Sequence, residues 1–153
     1  MKAVSPDIIG SIFTQALLEI ISKVTGFSLD VISAERDGGF DEFAAFMSLN
    51  GLKSGVLFIS AGETSLRTLC SYMVGTPEKD ITKEDIEDVL CEFVNMTAGN
   101  AKLRLDDTEY MYTLSSPHVI SGREMSIAAK NRVNIISKTL RSGDVSVKLK
   151  VIV

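Results

Sequence analysis

Apolar residues recur at helical spacing in two long stretches. The first runs through Ile8, Ile9, Ile12, Phe13, Ala16, Leu17, Ile20, Ile21 and Val24. Steps of three and four put these residues on one side of an α-helix. Ser5-Pro6-Asp7 supplies its start, with Ser as N-cap and Pro at the first helical position, and Gly26 ends it. The second long stretch opens at Thr82-x-x-Asp85, a capping box, and predicts a helix over roughly 83–104. Its apolar side is Ile86, Val89, Leu90, Phe93, Val94, Met96 and Ala101, and Asp106-Asp107 closes it. Between the two, Ser60-x-x-Glu63 also reads as a capping box and predicts a helix ending at Gly75.

The remaining segments have strand character. Residues 28–36 predict a strand, Gly38-Gly39 a turn, and 41–49 its hairpin partner. Asn50-Gly51 predicts a second turn. Gly55-Val56-Leu57-Phe58-Ile59 is too continuously apolar for a one-sided strand, so it is expected at the centre of a sheet. After Ser116-Pro117, strands are expected near 117–121, 124–130 and 132–140. Ser142-Gly143-Asp144 then turns into a last strand, Val145–Val153. Helices and antiparallel hairpins are segregated rather than strictly alternating, so the fold class is α+β, one main sheet with helices packed on it. Residues 1–153 are expected to form one domain.

The two halves echo one another. Ile9, Ile12, Phe13, Ala16 and Leu17 match Ile86, Val89, Leu90, Phe93 and Val94 at a constant offset, and Leu52-Lys53-Ser54-Gly55 echoes Leu140-Arg141-Ser142-Gly143. The polar sides differ. On the third helix Asp88, Glu92, Asn95, Gly99 and Lys102 occupy one stripe roughly 80° wide. Ser11, Gln15 and Leu18 stand at the places of Asp88, Glu92 and Asn95 on the first helix.

The stripe is locally unfavourable. Asp88 and Glu92 are like charges one turn apart, Gly99 costs a helix interior about 1 kcal/mol relative to Ala, and Asn is a poor interior helix residue. A solvated helix face would account for acids and an amide; a partner would account for the whole set. The carboxylate of Glu92 can accept from a cation. The amide of Asn95 can donate and accept at once and so can hold a water in a chosen orientation. Gly99 would let another backbone approach.

Composition narrows the chemistry. The formal net charge of −4 argues against nucleic-acid binding. The basic stretch Lys130–Arg141 has strand spacing and reads as an exposed strand face. No signal peptide and no run of about 20 apolar residues is apparent, which predicts a cytoplasmic protein without a membrane span. Cys70 and Cys91 have no metal spacing, and His118 is the one His. Both thiols are expected to be reduced small apolar residues. No Cys-x5-Arg or Gly-rich phosphate loop is present. Asn100 is expected to face inward with its amide bonded to nearby backbone, His118 to be a surface or structural residue, and Met96, Met111 and Met125 to fill core gaps.

Asp88-x3-Glu92-x2-Asn95, then Met96-Thr97-Ala98-Gly99-Asn100-Ala101-Lys102, with Ser116-Pro117 further on, resembles the signature of the CheC/CheX/FliY phosphatases, CheX most. The resemblance extends over nearly the whole chain and implies a pseudo-repeat of long helix plus antiparallel strands. It implies an enzyme that dephosphorylates a CheY-type response regulator. Asn95 would position the attacking water and Glu92 would pair with the receiver's active-site Lys. Asp88, Gly99 and Lys102 would support docking. The chain itself would bind no cofactor or metal; Mg²⁺ would come with the phosphorylated receiver. Because Leu18 cannot orient water, the resemblance implies one site per chain, and a homodimer formed through the sheets. The alternative is a non-catalytic binding or structural module for receiver domains, as in flagellar switch-type relatives.

Overall fold

The computed structural model describes residues 1–33, 39–130 and 133–153. Three α-helices are present among them: α1 (Pro6–Thr25), α2 (Glu63–Val74) and α3 (Lys83–Arg104). The strands are β1 (Asp30–Ser33), β2 (Phe43–Gly51), β3 (Gly55–Ala61), β4 (Tyr112–Thr113), β5 (His118–Ser121), β6 (Ile135–Ser142) and β7 (Val145–Ile152). Local signals place the long helices as expected. The Ser5 hydroxyl accepts from Ile8 N at 3.4 Å. At the start of α3, Asp85 N donates to Thr82 Oγ1 at 3.1 Å and Thr82 N to Asp85 Oδ2 at 2.9 Å, a closed capping box. Gly26 and Gly75 end α1 and α2 with φ of +82° and +75°, conformations that cost glycine nothing.

All pairings in the sheet are antiparallel, and its order is β1-β6-β7-β3-β2-β4, with β5 also on β2. The middle of that order is a palindrome. The hairpins β2–β3 and β6–β7 meet through their second strands, with Ile59 opposite Leu149 and Leu57 opposite Val151. The internal repeat is therefore a pseudo-twofold between β3 and β7, and Gly55–Ile59 lies at the sheet centre as its unbroken apolar run requires. The Leu-basic-Ser-Gly echo falls on both hairpins, but not in the same register. Leu140 is buried inside β6, whereas Leu52 is exposed on the β2–β3 turn.

The helices cover one sheet face. Leu57, Ile59 and Ala61 of β3, Val147, Leu149 and Val151 of β7, and Ala45 and Met47 of β2 are all fully buried in one core with the apolar sides of α1, α2 and α3. By length and composition α1 is apolar enough to cross a membrane, contrary to the expectation above. In the fold that apolar character serves the core: Ile9, Phe13, Ala16, Leu17 and Ile21 are shut away inside it.

Several other expectations are corrected. β1 does not pair with 41–49; it lies at the far edge of the sheet on β6, with Val31 opposite Leu140. Position 38 of the expected turn and 34–36 of the expected strand lie outside the described residues, as do 131 and 132. On the side away from β3, β2 receives β4 and β5 from the second half in place of β1. Each half thus lends its edge strand to the hairpin of the other. Residues 124–130 form no strand; Ser126 makes one isolated bridge with Gly39. Asn50 and Gly51 are the end of β2 rather than a turn. Ser60 is not a helix cap. It sits within β3, where its hydroxyl accepts from Asp41 N at 2.9 Å and donates to Phe43 O at 2.8 Å. Gly62 is the N-cap of α2, and a Glu42 oxygen accepts from Glu63 N at 3.4 Å. Met111 is exposed, not a core filler.

One ion pair fastens the segment after α3. Lys53 Nζ stands 2.9 Å from Glu109 Oε2 and 5.0 Å from the centre of the Tyr110 ring, and Glu109 Oε1 accepts from Val4 N at 3.3 Å. The bond from Lys53, then that from Val4, holds the Glu109 carboxyl below its ordinary range, and Glu109 raises Lys53. A carboxyl lowered in the folded state adds stability above its unfolded pKa and loses it as pH falls through the folded one. Glu109→Gln is therefore expected to lower the melting temperature at pH 7. The gap to wild type should close as pH falls through the carboxylate range. Melts with an equal gap at pH 7 and at full carboxylate protonation would show that the loss is not electrostatic.

Candidate functional site

α3 buries Ile86, Leu90, Phe93, Val94, Thr97, Ala98 and Ala101 completely. The Tyr112 hydroxyl donates to Ala98 O at 2.6 Å, fixing the helix to β4. Burial pushes the Tyr112 phenol well above its ordinary range, so it stays a donor. With that side seated, helical geometry decides what faces out. Asp88, Glu92 and Asn95 are exposed, while Gly99 and Lys102 are half-buried. Glu92 and Asn95 lie about 60° apart around the axis and about 4.5 Å along it, so both can reach one group.

Among the described residues, none of Asp88, Glu92 and Asn95 makes a side-chain hydrogen bond or ion pair. The matching stripe of α1 differs. Ser11 Oγ donates to Asp7 O at 3.0 Å, Gln15 Nε2 donates to Glu19 Oε1 at 3.1 Å, and Glu19 Oε2 pairs with Arg104 at 2.7 Å. Leu18 packs against the edge of the core. Arg104 first, then Gln15, keeps the Glu19 carboxyl below its ordinary range. The α1 stripe is thus closed by its own contacts; that of α3 is left open.

Gly99 has no internal reason to be glycine. A Cβ built there meets nothing within 4 Å. Gly99→Ala is accordingly expected to stabilise the fold by about 0.5–1 kcal/mol, read as a higher urea midpoint at unchanged m. A lower midpoint would mean that the chain itself needs the gap.

Other side chains of the motif serve the interior. Asn100 is half-buried beside α1, but its Oδ1 is buried without a hydrogen-bond partner, so the expected backbone bond is absent. Its side chain adds the smallest of the contributions that lower Glu19. Burial foremost, then the charge of Asp88, raises the Cys91 thiol, which suits packing rather than nucleophilic attack. Cys70 is fully buried. His118 is exposed, its ring edge-on to Phe46 at 5.7 Å. Among the described residues no group of three or more His, Cys, Asp or Glu is placed to hold a metal ion. One exposed residue of the same stripe escaped the sequence reading. Leu103, four residues beyond Gly99, is 81% exposed. Its signal was an apolar residue on an otherwise polar face.

Three helices over one face of an antiparallel sheet place the chain in the α+β class, and among the described residues the last helix presents an open carboxylate and amide at Glu92 and Asn95. The family model of the chemotaxis phosphatase CheX matches residues 43–140, and the chain belongs to the CheX family. Solved structures of similar fold include a CheC-like superfamily protein from Shewanella sp. PV-4, with a TM-score of 0.83 and 23% identity over 97% of this chain and 98% of that one. Chemotaxis protein CheX from Vibrio vulnificus follows at a TM-score of 0.82 and 18% identity, covering 94% and 97% of the two chains. A CheX–CheY–BeF3–Mg²⁺ complex from Borrelia burgdorferi is similar at a TM-score of 0.78 and 18% identity, over 93% and 94%. No curated protein matches the sequence.

Proposed function

We propose that this protein hydrolyses the aspartyl phosphate of a CheY-type receiver domain, with one site per chain. The observation that carries the reading is the open Glu92–Asn95 pair on α3, set against a matching stripe on α1 that its own contacts close. Membership of the CheX family, and a relative captured with CheY and Mg²⁺, supports a receiver as the partner.

α3 docks beside the phosphoaspartate. The Glu92 carboxylate accepts from a receiver Lys and fixes the angle of approach. The Asn95 amide enters the receiver's site, where it accepts one hydrogen from a water and donates its own N–H to the neighbouring acceptor. The water oxygen is then held in line with the bond from phosphorus to the aspartate oxygen. A P–O bond forms, the acyl-phosphate bond breaks, and the aspartate carboxylate and inorganic phosphate result. The receiver supplies the electrophile and Mg²⁺; this chain supplies position, which suffices for a loose phosphoryl-transfer transition state.

The test is phosphate release from phosphorylated CheY-type receivers in Mg²⁺, with and without this protein. Faster release at substoichiometric protein is the expected result. Decay equal to that of the receiver alone, across every candidate regulator beside the gene, overturns the reading. Tight binding to phosphorylated receiver without acceleration would make the protein a binding module instead.

A further inference from the structure

β6 and β7 set four polar side chains at the corners of a square. Thr139 stands opposite Lys148, and Arg141 opposite Ser146. Cross-strand partners share a sheet face, and so do residues two apart along a strand, so the four form one surface. Leu140 and Val147, which alternate with them, point the other way and are fully buried with the helices. The square therefore lies on the sheet face away from α3. It lines a pocket of about 420 Å³, with Asp41, Gly62 and Ser65 on its walls. Cations and hydroxyls alternate around it, Arg141 and Lys148 on one diagonal and Thr139 and Ser146 on the other.

Little in the described chain meets these groups. Thr139 is only 8% exposed, yet among the described residues its hydroxyl has no hydrogen-bond partner, and neither has the hydroxyl of Ser146 or the guanidinium of Arg141. Lys148 reaches Asp41 Oδ1 at 3.4 Å, long for a charge-assisted bond. Asp41 is the one acid among the described residues that line the pocket. Asp30 lies opposite Arg141 on β1 but makes no ion pair with it. The lining thus keeps an excess positive charge. The start of α2 borders the same space: Gly62, its N-cap, brings no capping side chain, and the N–H of Glu63 goes to Glu42 at 3.4 Å. A buried hydroxyl without a partner beside an unpaired cation calls for an anionic group rich in acceptors. Donors at four corners suit the several oxygens of a tetrahedral oxyanion, whereas a carboxylate has only two oxygens to share among them. We propose that this pocket binds a phosphate group, with Arg141 and Lys148 supplying the charge and Thr139 and Ser146 the hydroxyl donors. Its volume falls in the range of small-ligand sites and leaves room for more than the bare ion. The site is separate from Glu92 and Asn95.

The test is a proton–nitrogen NMR titration of the whole chain with inorganic phosphate, ribose 5-phosphate and acetate at constant ionic strength. A phosphate probe is expected to shift the amides of Thr139, Arg141, Ser146 and Lys148 and to saturate near or below about 1 mM, while acetate does not. Arg141→Gln removes an exposed side chain without a partner among the described residues, so its melting temperature should match wild type while its affinity falls at least about tenfold. Thr139→Val keeps the shape of the side chain and should weaken binding about fivefold. Tighter binding of ribose 5-phosphate than of inorganic phosphate assigns the site to a phosphorylated molecule; the reverse order assigns it to the free ion. The site is overturned by the absence of localised shifts with either phosphate probe at about 10 mM. Acetate binding as tightly as phosphate overturns it too, and so does unchanged affinity in either variant. None of these readouts involves a receiver, so the outcome is independent of whether Asn95 and Glu92 act as proposed.

Discussion

Replacing Asn95 with alanine is expected to abolish receiver dephosphorylation, lowering kcat by about a hundredfold or more. The protein itself should remain as stable as before, or slightly more so. Asn95 is exposed and its side chain bonds to none of the described residues, and Ala is the better helix former by about 0.5 kcal/mol. The binding surface is otherwise kept, so the affinity for phosphorylated receiver should change little. Glu92→Ala should behave in the opposite way, raising KM through a lost charge-assisted bond while leaving the water-holding amide in place. Single-turnover decay at saturating protein separates the two. An Asn95→Ala protein that still accelerates decay within about threefold of wild type would take the water-positioning role away from this residue.

Phe93→Ala should cost about 3–5 kcal/mol, the largest stability loss expected of any change on α3. The ring is fully buried between the helix and the sheet, one residue from Glu92. Natural domains keep only about 5–15 kcal/mol in hand, so a large share of the margin would go. Activity is expected to fall in this variant as well, because α3 is no longer held at a fixed depth. Urea melts tell the two losses apart: Asn95→Ala keeps its midpoint and Phe93→Ala does not. A loss below about 1 kcal/mol would mean that α3 is not seated on the core as described.

The two halves of the molecule help to separate packing from function. α1 and α3 bury the same register of apolar residues, and each faces the same sheet. Packing alone therefore does not call for an acid, an acid and an amide on the outer stripe. In α1 the corresponding polar groups turn back on the chain, through Gln15, Glu19 and Arg104. The ends of α3 were readable from its residues because capping is a local affair: Thr82 and Asp85 are three positions apart and bond to each other. The same four-residue pattern at Ser60–Glu63 misled. Nothing local shows that Ser60 is already engaged across the sheet by Asp41 and Phe43.

Sequence alone determined the α+β class, the two long helices, the central placement of β3 and the membership of Glu92 and Asn95 in one helical stripe. Each of these follows from a period of two or of 3.6 residues and from groups within a turn of one another. Tertiary structure decided what lies far apart along the chain. It set β1 on β6 rather than on β2, carried β4 and β5 across to the first hairpin, and brought Leu52 and Met1 to one groove with Lys102 near the end of α3. It also decided which of two similar polar stripes stays free. That choice depends on Arg104 reaching Glu19 across the α1–α3 boundary, a contact that no period in the sequence encodes.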